Sequence, residues 1–273
     1  MMKDLHTHIL YGIDDGVKTI EESIKILKDE SIKFKILGKG SNLIFNFIEY
    51  DGVLIKLDKF DNVEYNGNII KVGAGYPLTK LAYESANKNL SGLEFASGIP
   101  GTLGGAVFMN AGAYNSDMSA IVEEATLLTP DYEIKVFKKE ELEFSYRSSF
   151  IKKNKDFIVI DVTLKLEEGN KEEILNIIND RATRRKESQP LEYPSAGSVF
   201  RNPEGDYAGR LIEEQGFKGY NINGAEVSTK HANFIINKDN CNGRDLVNLI
   251  SEIKTKIKDN YNIELILEQE IVE

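Results

Sequence analysis

The sequence predicts an α+β chain made of two domains that meet near residue 168. At 273 residues, the chain is about twice the usual length of one domain. Apolar and polar residues alternate in 160–166, which predicts a strand, whereas other segments repeat apolar residues every three or four positions, as helices do. The charged segment 167–173 follows that strand and is typical of a linker between domains.

The elements before the linker are predicted from apolar spacing and turn residues. A helix begins after Thr19, with Ile20, Ile24 and Leu27 on one face and acidic residues in its first turn. A second helix is predicted over 77–89, because proline suits the first turn of a helix. Strands between glycine-containing turns are predicted at 33–37, 53–57, 63–65, 69–73, 125–129, 133–137 and 157–166.

The part after the linker also mixes both kinds of element. Helices are predicted at about 172–187, 207–215 and 243–258. Strands are predicted at 233–237 and 263–268, and a loop at 188–206. The order of the elements contains no internal repeat. Because both helices and strands are predicted on each side of the linker, we expect α+β structure in both parts.

Composition excludes several classes of protein. The 34 basic and 44 acidic residues give a net charge of −10, which disfavours a general nucleic-acid binder but leaves room for a local phosphate pocket. The single cysteine, Cys241, excludes an internal disulfide and fits a reducing compartment. No apolar run is long enough to cross a bilayer, and Asp4, His6 and His8 interrupt any signal-peptide core. We therefore expect a cytoplasmic protein.

Two glycine-rich segments are the strongest candidates for a binding site. They are GKGSN at 38–42, directly after a predicted strand, and the uncharged GIPGTLGGAVFMNAGAY at 98–114. Bare glycine backbone lets amides approach a phosphate, although neither segment has the spacing of a Walker loop or of the dinucleotide fingerprint. Two tight turns are the simpler alternative. The length of the second segment favours a large phosphorylated cofactor.

These segments resemble the flavin-binding motifs of the UDP-N-acetylenolpyruvoylglucosamine reductase family, which acts in peptidoglycan precursor synthesis. The resemblance continues in order through SYRSSF (145–150), QPLEYPSAGSVFRNP (189–203), the segment 208–237 and LILEQEI (265–271). It covers residues 30 to 273, about nine-tenths of the chain by this count. The short distance between Arg147 and Ser198 resembles the shorter type of this enzyme.

The resemblance implies an FAD-binding domain of the vanillyl-alcohol-oxidase (PCMH) type and a C-terminal α+β substrate-binding domain. The first half of the flavin domain is truncated, because the threonine-phenylalanine-glycine-glycine segment that normally precedes the first helix is absent. We accordingly assign an atypical head (1–16), the FAD-binding domain (17–167) and the substrate-binding domain (168–273). The residues implied to bind FAD are Gly38, Gly40, Ser41, Asn42, Leu43, Gly98, Ile99, Pro100, Gly101, Thr102, Gly104, Gly105, Asn110, Ala111 and Gly112.

Three catalytic residues follow from the same resemblance. Arg147 and Glu270 are implied to stabilise an enolate-like intermediate, and Ser198 to donate a proton to it. Without the resemblance, Arg147 would be interpreted as a solvated surface arginine, Ser198 as a serine in a turn and Glu270 as a mobile glutamate near the C-terminus. Gln269 stands where the family has proline, and Val272 where it has arginine.

Substrate contacts are implied for Tyr146, Lys186, Gln189, Asn202 and Glu226. The basic cluster at 184–186 fits either a diphosphate site or ordinary capping of a helix end.

The N-terminal segment 4–27 resembles a different family, the tyrosine phosphatases of the polymerase-and-histidinol-phosphatase type. In that family an HxH pair, here His6 and His8, begins a metal site of several histidines. The chain has only three histidines in all, and the third, His231, lies in the reductase-like part. A complete phosphatase is therefore excluded. We predict no metal site and interpret the head as a ligand-free remnant, joined to the reductase-like part at about residues 17–32.

The sequence thus predicts an NADPH-dependent, FAD-containing reductase of UDP-N-acetylglucosamine enolpyruvate. An inert or weakly flavin-binding hybrid is the alternative from another class, and a metal-dependent phosphatase is a remote one. A flavin absorbance band in the purified protein distinguishes the first two. The oligomeric state is left open.

Overall fold

Residues 19–273 are described by a computed structural model of the chain, and their packing divides them into two units. The first unit contains the described residues up to Lys39 together with Glu49–Ile178. The second unit contains Gly40–Ile48 and Asn179–Glu273. A short segment from early in the chain is therefore part of the C-terminal unit.

The predicted head, with His6 and His8, lies outside the described residues. The predicted domain boundary at 167/168 stays a prediction, although the two units divide between Ile178 and Asn179, inside a helix. Within 19–273, none of the helices has the length and apolar character needed to span a bilayer.

Seven α-helices are found in the described residues: α1 Ile20–Asp29, α2 Leu78–Asn87, α3 Leu103–Met109, α4 Phe150–Lys153, α5 Lys171–Ser188, α6 Ala208–Glu214 and α7 Gly243–Tyr261. Short 3-10 turns occur at Glu94–Ala96, Met118–Ala120 and Lys139–Leu142. The strands are β1 Phe34–Leu37, β2 Leu43–Phe45, β3 Val53–Lys56, β4 Val63–Asn66, β5 Ile69–Gly73, β6 Leu90–Ser91, β7 Gly112–Ala113, β8 Ser116–Asp117, β9 Val122–Leu128, β10 Ile134–Lys138, β11 Ile158–Lys165, β12 Glu167–Glu168, β13 Ser195–Ser198, β14 Asn221–Ile222, β15 Ala225–Val227, β16 Phe234–Asn237 and β17 Glu270–Val272.

The first unit is built around an antiparallel sheet with the strand order β10-β9-β11-β5-β4. The buried side chains of these strands form one apolar core with those of α1, α2 and α3. Within α1, Ile20, Ile24 and Leu27 are buried as predicted, and the Thr19 side chain accepts a hydrogen bond from the backbone of Glu22. A separate parallel pair joins β1 to β3.

The second unit contains the antiparallel sheet β13-β16-β15-β14 and the parallel pair β17-β2. Helices α6 and α7 supply much of its apolar core. Helix α7 begins with a capping box, in which Asn242 and Asp245 each satisfy a backbone amide of the other. Gly243 lies so close to the carbonyl of Phe45 that a Cβ would not fit, and this close approach holds α7 against β2.

Three predictions of secondary structure are wrong. The glycine-rich segment 98–114 does not consist of turns alone, since α3 lies inside it, and the predicted loop at 188–206 contains strand β13. The last strand is Glu270–Val272 rather than 263–268, of which only Leu267 makes an isolated bridge, to Phe200. For α3 and β17 a tertiary contact overrides the local pattern: Gly104 of α3 packs directly against Ala74, and β17 pairs with a strand from the other end of the chain.

Candidate active site

The glycines predicted to bind FAD are of two kinds. At Gly38 an added Cβ would lie 2.6 Å from Thr102 Oγ1, and at Gly104 it would lie 2.8 Å from the Cβ of Ala74. These two glycines are required by packing, and the first brings the two glycine-rich segments into contact. Within residues 19–273, and apart from its chain neighbours, no atom lies within 4 Å of a Cβ added at Gly40, and the nearest to one added at exposed Gly105 is Thr102 Oγ1 at 3.6 Å. These two leave bare backbone open to a ligand.

Asn110 organises the end of the second glycine-rich segment. Its backbone is left-handed, with φ 43°, which asparagine tolerates better than most residues. The side chain is 2% exposed, and it donates to the carbonyl of Ser145 at 3.0 Å and accepts from the amide of Ser119 at 3.0 Å. Its amide thus joins this segment to the hairpin that carries Arg147.

Arg147 lies in the turn of that hairpin. Ser145 and Ser148 exchange two backbone hydrogen bonds of 3.0 Å, which leaves Tyr146 and Arg147 as the turn residues. Arg147 is left-handed, with φ 55°, an uncommon conformation for a long side chain and one often found at functional sites. Its Nη2 donates to the carbonyl of Gly112 at 2.8 Å. The predicted catalytic arginine is therefore bound to the second predicted flavin motif.

Ser198 ends β13, in the second unit. Its neighbour Gly197 has φ 77°, a conformation that favours glycine. The following residues are fixed by buried Asn233, whose side chain accepts from the Phe200 amide at 3.0 Å and donates to the Phe200 carbonyl at 2.8 Å. The Asn233 carbonyl also accepts from the amide of Val199 at 2.9 Å. Asn233 was not among the predicted site residues, although it lies in a matched motif.

Glu270 begins β17, which pairs in parallel with β2 so that Glu270 lies opposite Leu43. Its amide donates to the carbonyl of Asn42 at 2.9 Å, and the Asn42 side chain donates to the carbonyl of Glu268 at 3.2 Å. The predicted catalytic glutamate is therefore joined to the first predicted flavin motif. Glu270 is half-buried and part of a strand, unlike an ordinary mobile terminus.

The predicted substrate residues differ in their surroundings. Glu226 is buried, and both of its carboxylate oxygens accept from Lys238 Nζ, at 2.7 and 2.8 Å. This interaction raises the pKa of Lys238. No pattern in the sequence indicates Lys238 as a partner of Glu226, because the pairing of β15 with β16 brings the two residues together.

The other predicted substrate residues are largely exposed. Tyr146 is exposed beside the guanidinium of Arg147, whose Cζ lies 5.3 Å from the ring centroid. Asn202 is exposed, and its Oδ1 accepts from the Ala208 amide at the start of α6. Gln189 is half-buried, and its Oε1 accepts from Arg185 Nε at 2.7 Å.

The basic cluster at 184–186 lies in the last turn of α5. Lys186 has an exposed side chain, and its carbonyl accepts from Lys230 Nζ at 2.7 Å. Arg184 pairs with Asp180 one turn earlier. The Lys230 contact satisfies a carbonyl at the helix end, and the Lys186 ammonium lies at the surface.

Each unit therefore collects part of the predicted site. In the first unit, Arg147 is joined to the glycine-rich segment through Asn110 and Gly112. In the second unit, Ser198 and Glu270 lie on neighbouring segments, since the Glu268 amide donates to the Val199 carbonyl at 2.8 Å. The chemistry available is a fixed cation, a hydroxyl, a carboxyl group and open glycine backbone.

Two family models match the chain. One, described as UDP-N-acetylenolpyruvoylglucosamine reductase, C-terminal domain, matches residues 189–272. The other, described as an FAD binding domain, matches residues 16–138. Together they confirm the predicted class of fold, an FAD-binding domain followed by a C-terminal reductase domain.

Curated relatives match along most of the chain. UDP-N-acetylenolpyruvoylglucosamine reductase of Halalkalibacterium halodurans is 42% identical over 264 residues, which is 96% of this chain and 87% of the relative. The reductase of Anoxybacillus flavithermus is 45% identical over 259 residues, covering 94% and 85%. The solved structure of UDP-N-acetylenolpyruvylglucosamine reductase from Thermus caldophilus is 36% identical, with a TM-score of 0.79 over 93% of this chain and 90% of that one.

Proposed function

Because the chain belongs to the UDP-N-acetylenolpyruvoylglucosamine reductase family, we propose that it reduces UDP-N-acetylglucosamine enolpyruvate to UDP-N-acetylmuramate. It is an FAD-dependent oxidoreductase, with NADPH as the donor of the hydride. The observation that carries the proposal is the hydrogen bond from Arg147 to Gly112, because it places a permanent cation on the flavin motif itself.

The residues present fit FAD. A pyrophosphate needs backbone that it can approach without side chains, and Gly40 and Gly105 provide it, while Gly38 and Gly104 let the surrounding segments pack closely. The residues proposed to hold the cofactor are Gly38, Gly40, Ser41, Asn42, Leu43, Gly98, Ile99, Pro100, Gly101, Thr102, Gly104, Gly105, Asn110, Ala111 and Gly112. For Asn110 the contribution is through the backbone, because its side chain is already used by Ser119 and Ser145.

When bound by these residues, FAD would supply the transfer of a hydride from NADPH to the β-carbon of the enolpyruvyl group. The protein must then manage the negative charge that develops on the substrate carboxyl group and α-carbon. We assign the charge stabilisation to the Arg147 guanidinium, which is a fixed cation, and to the Glu270 carboxyl group. Ser198 donates its hydroxyl proton to the α-carbon and regains a proton from solvent, which completes the addition of two hydrogens.

Substrate binding is proposed for Tyr146, Lys186, Gln189, Asn202 and Glu226. Lys186 offers an exposed ammonium for the diphosphate, and Asn202 keeps its amide donors for the sugar. Glu226 is proposed to contribute together with Lys238, since their ion pair presents one hydrogen-bonded unit rather than an isolated carboxylate.

The test begins with the purified protein. A stoichiometric flavin absorbance band is expected, and anaerobic NADPH should bleach it. Adding UDP-N-acetylglucosamine enolpyruvate should then restore the band and give a product heavier by two hydrogen atoms in mass spectrometry. Absence of the flavin band would favour the inert hybrid instead. A band that the enolpyruvyl compound does not restore would contradict the proposed substrate.

A separate proposal concerns the N-terminal head, residues 1–16. We propose that residues 1–16 are a remnant without metal chemistry, because its histidines are too few for the phosphatase site. Replacing the head by a reductase-type start should raise flavin occupancy, and His6→Ala with His8→Ala should leave turnover unchanged. A loss of bound metal together with loss of phosphatase activity in the double variant would contradict this.

We also propose a cytoplasmic location, because a chain with a single cysteine fits a reducing compartment.

A further inference from the structure

Gln269 is a buried polar residue in the C-terminal motif, between Glu268 and Glu270. Its side chain is 5% exposed, and its Nε2 donates to the carbonyl of Gly197 at 3.0 Å. Burying an amide is unfavourable unless it is hydrogen-bonded, so this contact fixes the side chain. The resemblance to the reductase family implies proline at this position, and proline has no side-chain donor.

The contact falls next to Ser198. The carbonyl before it, of Gly197, accepts from the Gln269 side chain, and the carbonyl after it, of Val199, accepts from the Glu268 amide at 2.8 Å. Both donors immediately precede Glu270 in the chain. Ser198 is thus bracketed by two hydrogen bonds from the segment that carries the candidate glutamate.

The side-chain bond is located where regular strand pairing is interrupted. The ladder between β13 and β16 is irregular between Ser195 and Ser198, and Gly197 within it is left-handed. Glycine has more backbone freedom than other residues, and an irregular ladder leaves part of the backbone without its regular strand partner. The hydrogen bond from Gln269 therefore restrains the backbone of Gly197, the residue that directly precedes Ser198 and sets its orientation.

We propose that Gln269 is a positioning residue, which fixes the Ser198 hydroxyl relative to the Glu270 carboxyl. The inference rests on the proposed function, in which both groups act on one substrate. Proton donation requires the hydroxyl to lie within hydrogen-bond reach of the reacting carbon, and a shift of about 1 Å can cost on the order of a hundredfold in rate. In this chain the side-chain amide of Gln269 restrains the Gly197 backbone through a hydrogen bond, which a proline at this position could not donate.

The experiment compares Gln269→Met, which keeps the side-chain length but has no donor, with Gln215→Met as the matched control. Gln215 is in the same unit and also uses its side chain, donating to the Tyr261 hydroxyl at 3.0 Å and accepting from Asn260. Loss of its bonds affects stability without touching the segments of Ser198 and Glu270. Flavin reduction by NADPH and reoxidation by the enolpyruvyl substrate are followed separately by rapid mixing, in ordinary and deuterated water.

For Gln269→Met we expect reoxidation to slow by about ten- to a hundredfold, with a larger solvent isotope effect because proton delivery becomes limiting. Reduction by NADPH should be unchanged, and Gln215→Met should resemble the wild type in both steps. Amide hydrogen exchange should become faster in the peptide covering 195–200 in Gln269→Met only. Gln269→Glu, whose ionised carboxyl cannot donate, provides a second variant at pH 8 and should give the same losses.

Wild-type reoxidation rates and isotope effects in both Gln269 variants would overturn the proposal. So would an equal slowing of both steps, which indicates a role in folding alone. If the wild type does not turn over the enolpyruvyl substrate, the proposed function fails, and hydrogen exchange at 195–200 still decides whether Gln269 restrains Ser198.

Discussion

The amide of Glu270 donates to the carbonyl of Asn42 at 2.9 Å, so a residue near the end of the chain is hydrogen-bonded to one near its start. Asn42 belongs to the first glycine-rich motif, and Glu270 is the candidate catalytic glutamate. The parallel pairing of β17 with β2 extends this contact over three residues. Neither motif can take its position without the other, since each supplies the strand partner that the other needs.

Arg147→Lys should retain flavin but lose most turnover. Lysine keeps the positive charge, but it has a single donor group instead of a planar fork and cannot hold the Gly112 carbonyl and a substrate carboxylate in the same geometry. We expect kcat to fall by about 10²- to 10³-fold, the usual effect of removing one charge-stabilising donor. The flavin spectrum and kcat are measured beside Lys153→Met, which removes an exposed cation paired with Glu143. Similar losses in both variants would contradict a specific role for Arg147.

Ser198→Ala should separate the two half-reactions. Flavin reduction by NADPH needs no proton at the substrate α-carbon and should keep its rate. Reoxidation by the enolpyruvyl substrate should slow by roughly 10²-fold or more, the usual contribution of a general acid. Ser195→Ala, at the exposed start of the same strand, serves as the control in stopped-flow traces. Near-normal reoxidation in Ser198→Ala would remove this serine from the mechanism.

Gly105→Ala should change protein stability and flavin affinity in opposite directions. The added Cβ would be 3.6 Å from its nearest neighbour, Thr102 Oγ1, and alanine is favoured over glycine in a helix by up to about 1 kcal/mol. We therefore expect the apoprotein to unfold at slightly higher urea concentration and to bind FAD more weakly.

Gly104→Ala is the comparison for this test, because its Cβ would be 2.8 Å from that of Ala74 and should destabilise the apoprotein. An unchanged FAD affinity in Gly105→Ala would mean that this face of α3 does not contact the cofactor.

Asn110→Ala should lower stability and impair turnover together. It removes both hydrogen bonds of the Asn110 side chain, at a total cost of about 1–3 kcal/mol, although the Ser145 carbonyl still accepts from the Ser148 amide and the Ser119 amide still donates to Asp117. It also places alanine in a left-handed conformation. Asn110→Gly loses the same hydrogen bonds but fits that φ, so it should be the more stable of the two in urea unfolding. If the alanine variant were the more stable, backbone conformation would not limit this position.

Stability should fall between neutral pH and pH 5 through His231. Burial lowers the pKa of His231 below its usual value of 6.5, and its Nδ1 accepts from the Asn233 amide at 3.2 Å, which requires an unprotonated Nδ1. The unfolded chain therefore binds a proton at higher pH than the folded chain does. The stabilisation is complete above pH 6.5 and is lost as the pH falls through the folded pKa.

His231→Gln removes this titration, while every carboxylate that titrates in the wild type is retained. The free energy of unfolding of the wild type, minus that of the variant, should decrease from pH 7 to pH 5. Parallel curves for the two proteins would exclude His231 as the cause.

Much of the fold was predictable because its elements have strong local patterns. Ile20, Ile24 and Leu27 determine the buried face of α1, and the alternation over 162–166 determines the buried face in the second half of β11. The motifs with Arg147, Ser198 and Glu270 identify the family, because each is long and they follow one another in order. These properties depend on neighbours in the sequence, so the sequence alone determines them.

The partners of these elements were decided only by the tertiary structure. The pattern of residues 263–272 predicts extended chain but does not reveal that β2 is its partner, more than two hundred residues earlier. Glycines disfavour a helix, yet α3 contains them, because Gly104 allows this helix to pack closely against Ala74. The hydrogen bonds that Asn233 and Gln269 make on either side of Ser198 likewise join segments distant in the chain. Such contacts depend on which surfaces meet after folding, and no local periodicity encodes that choice.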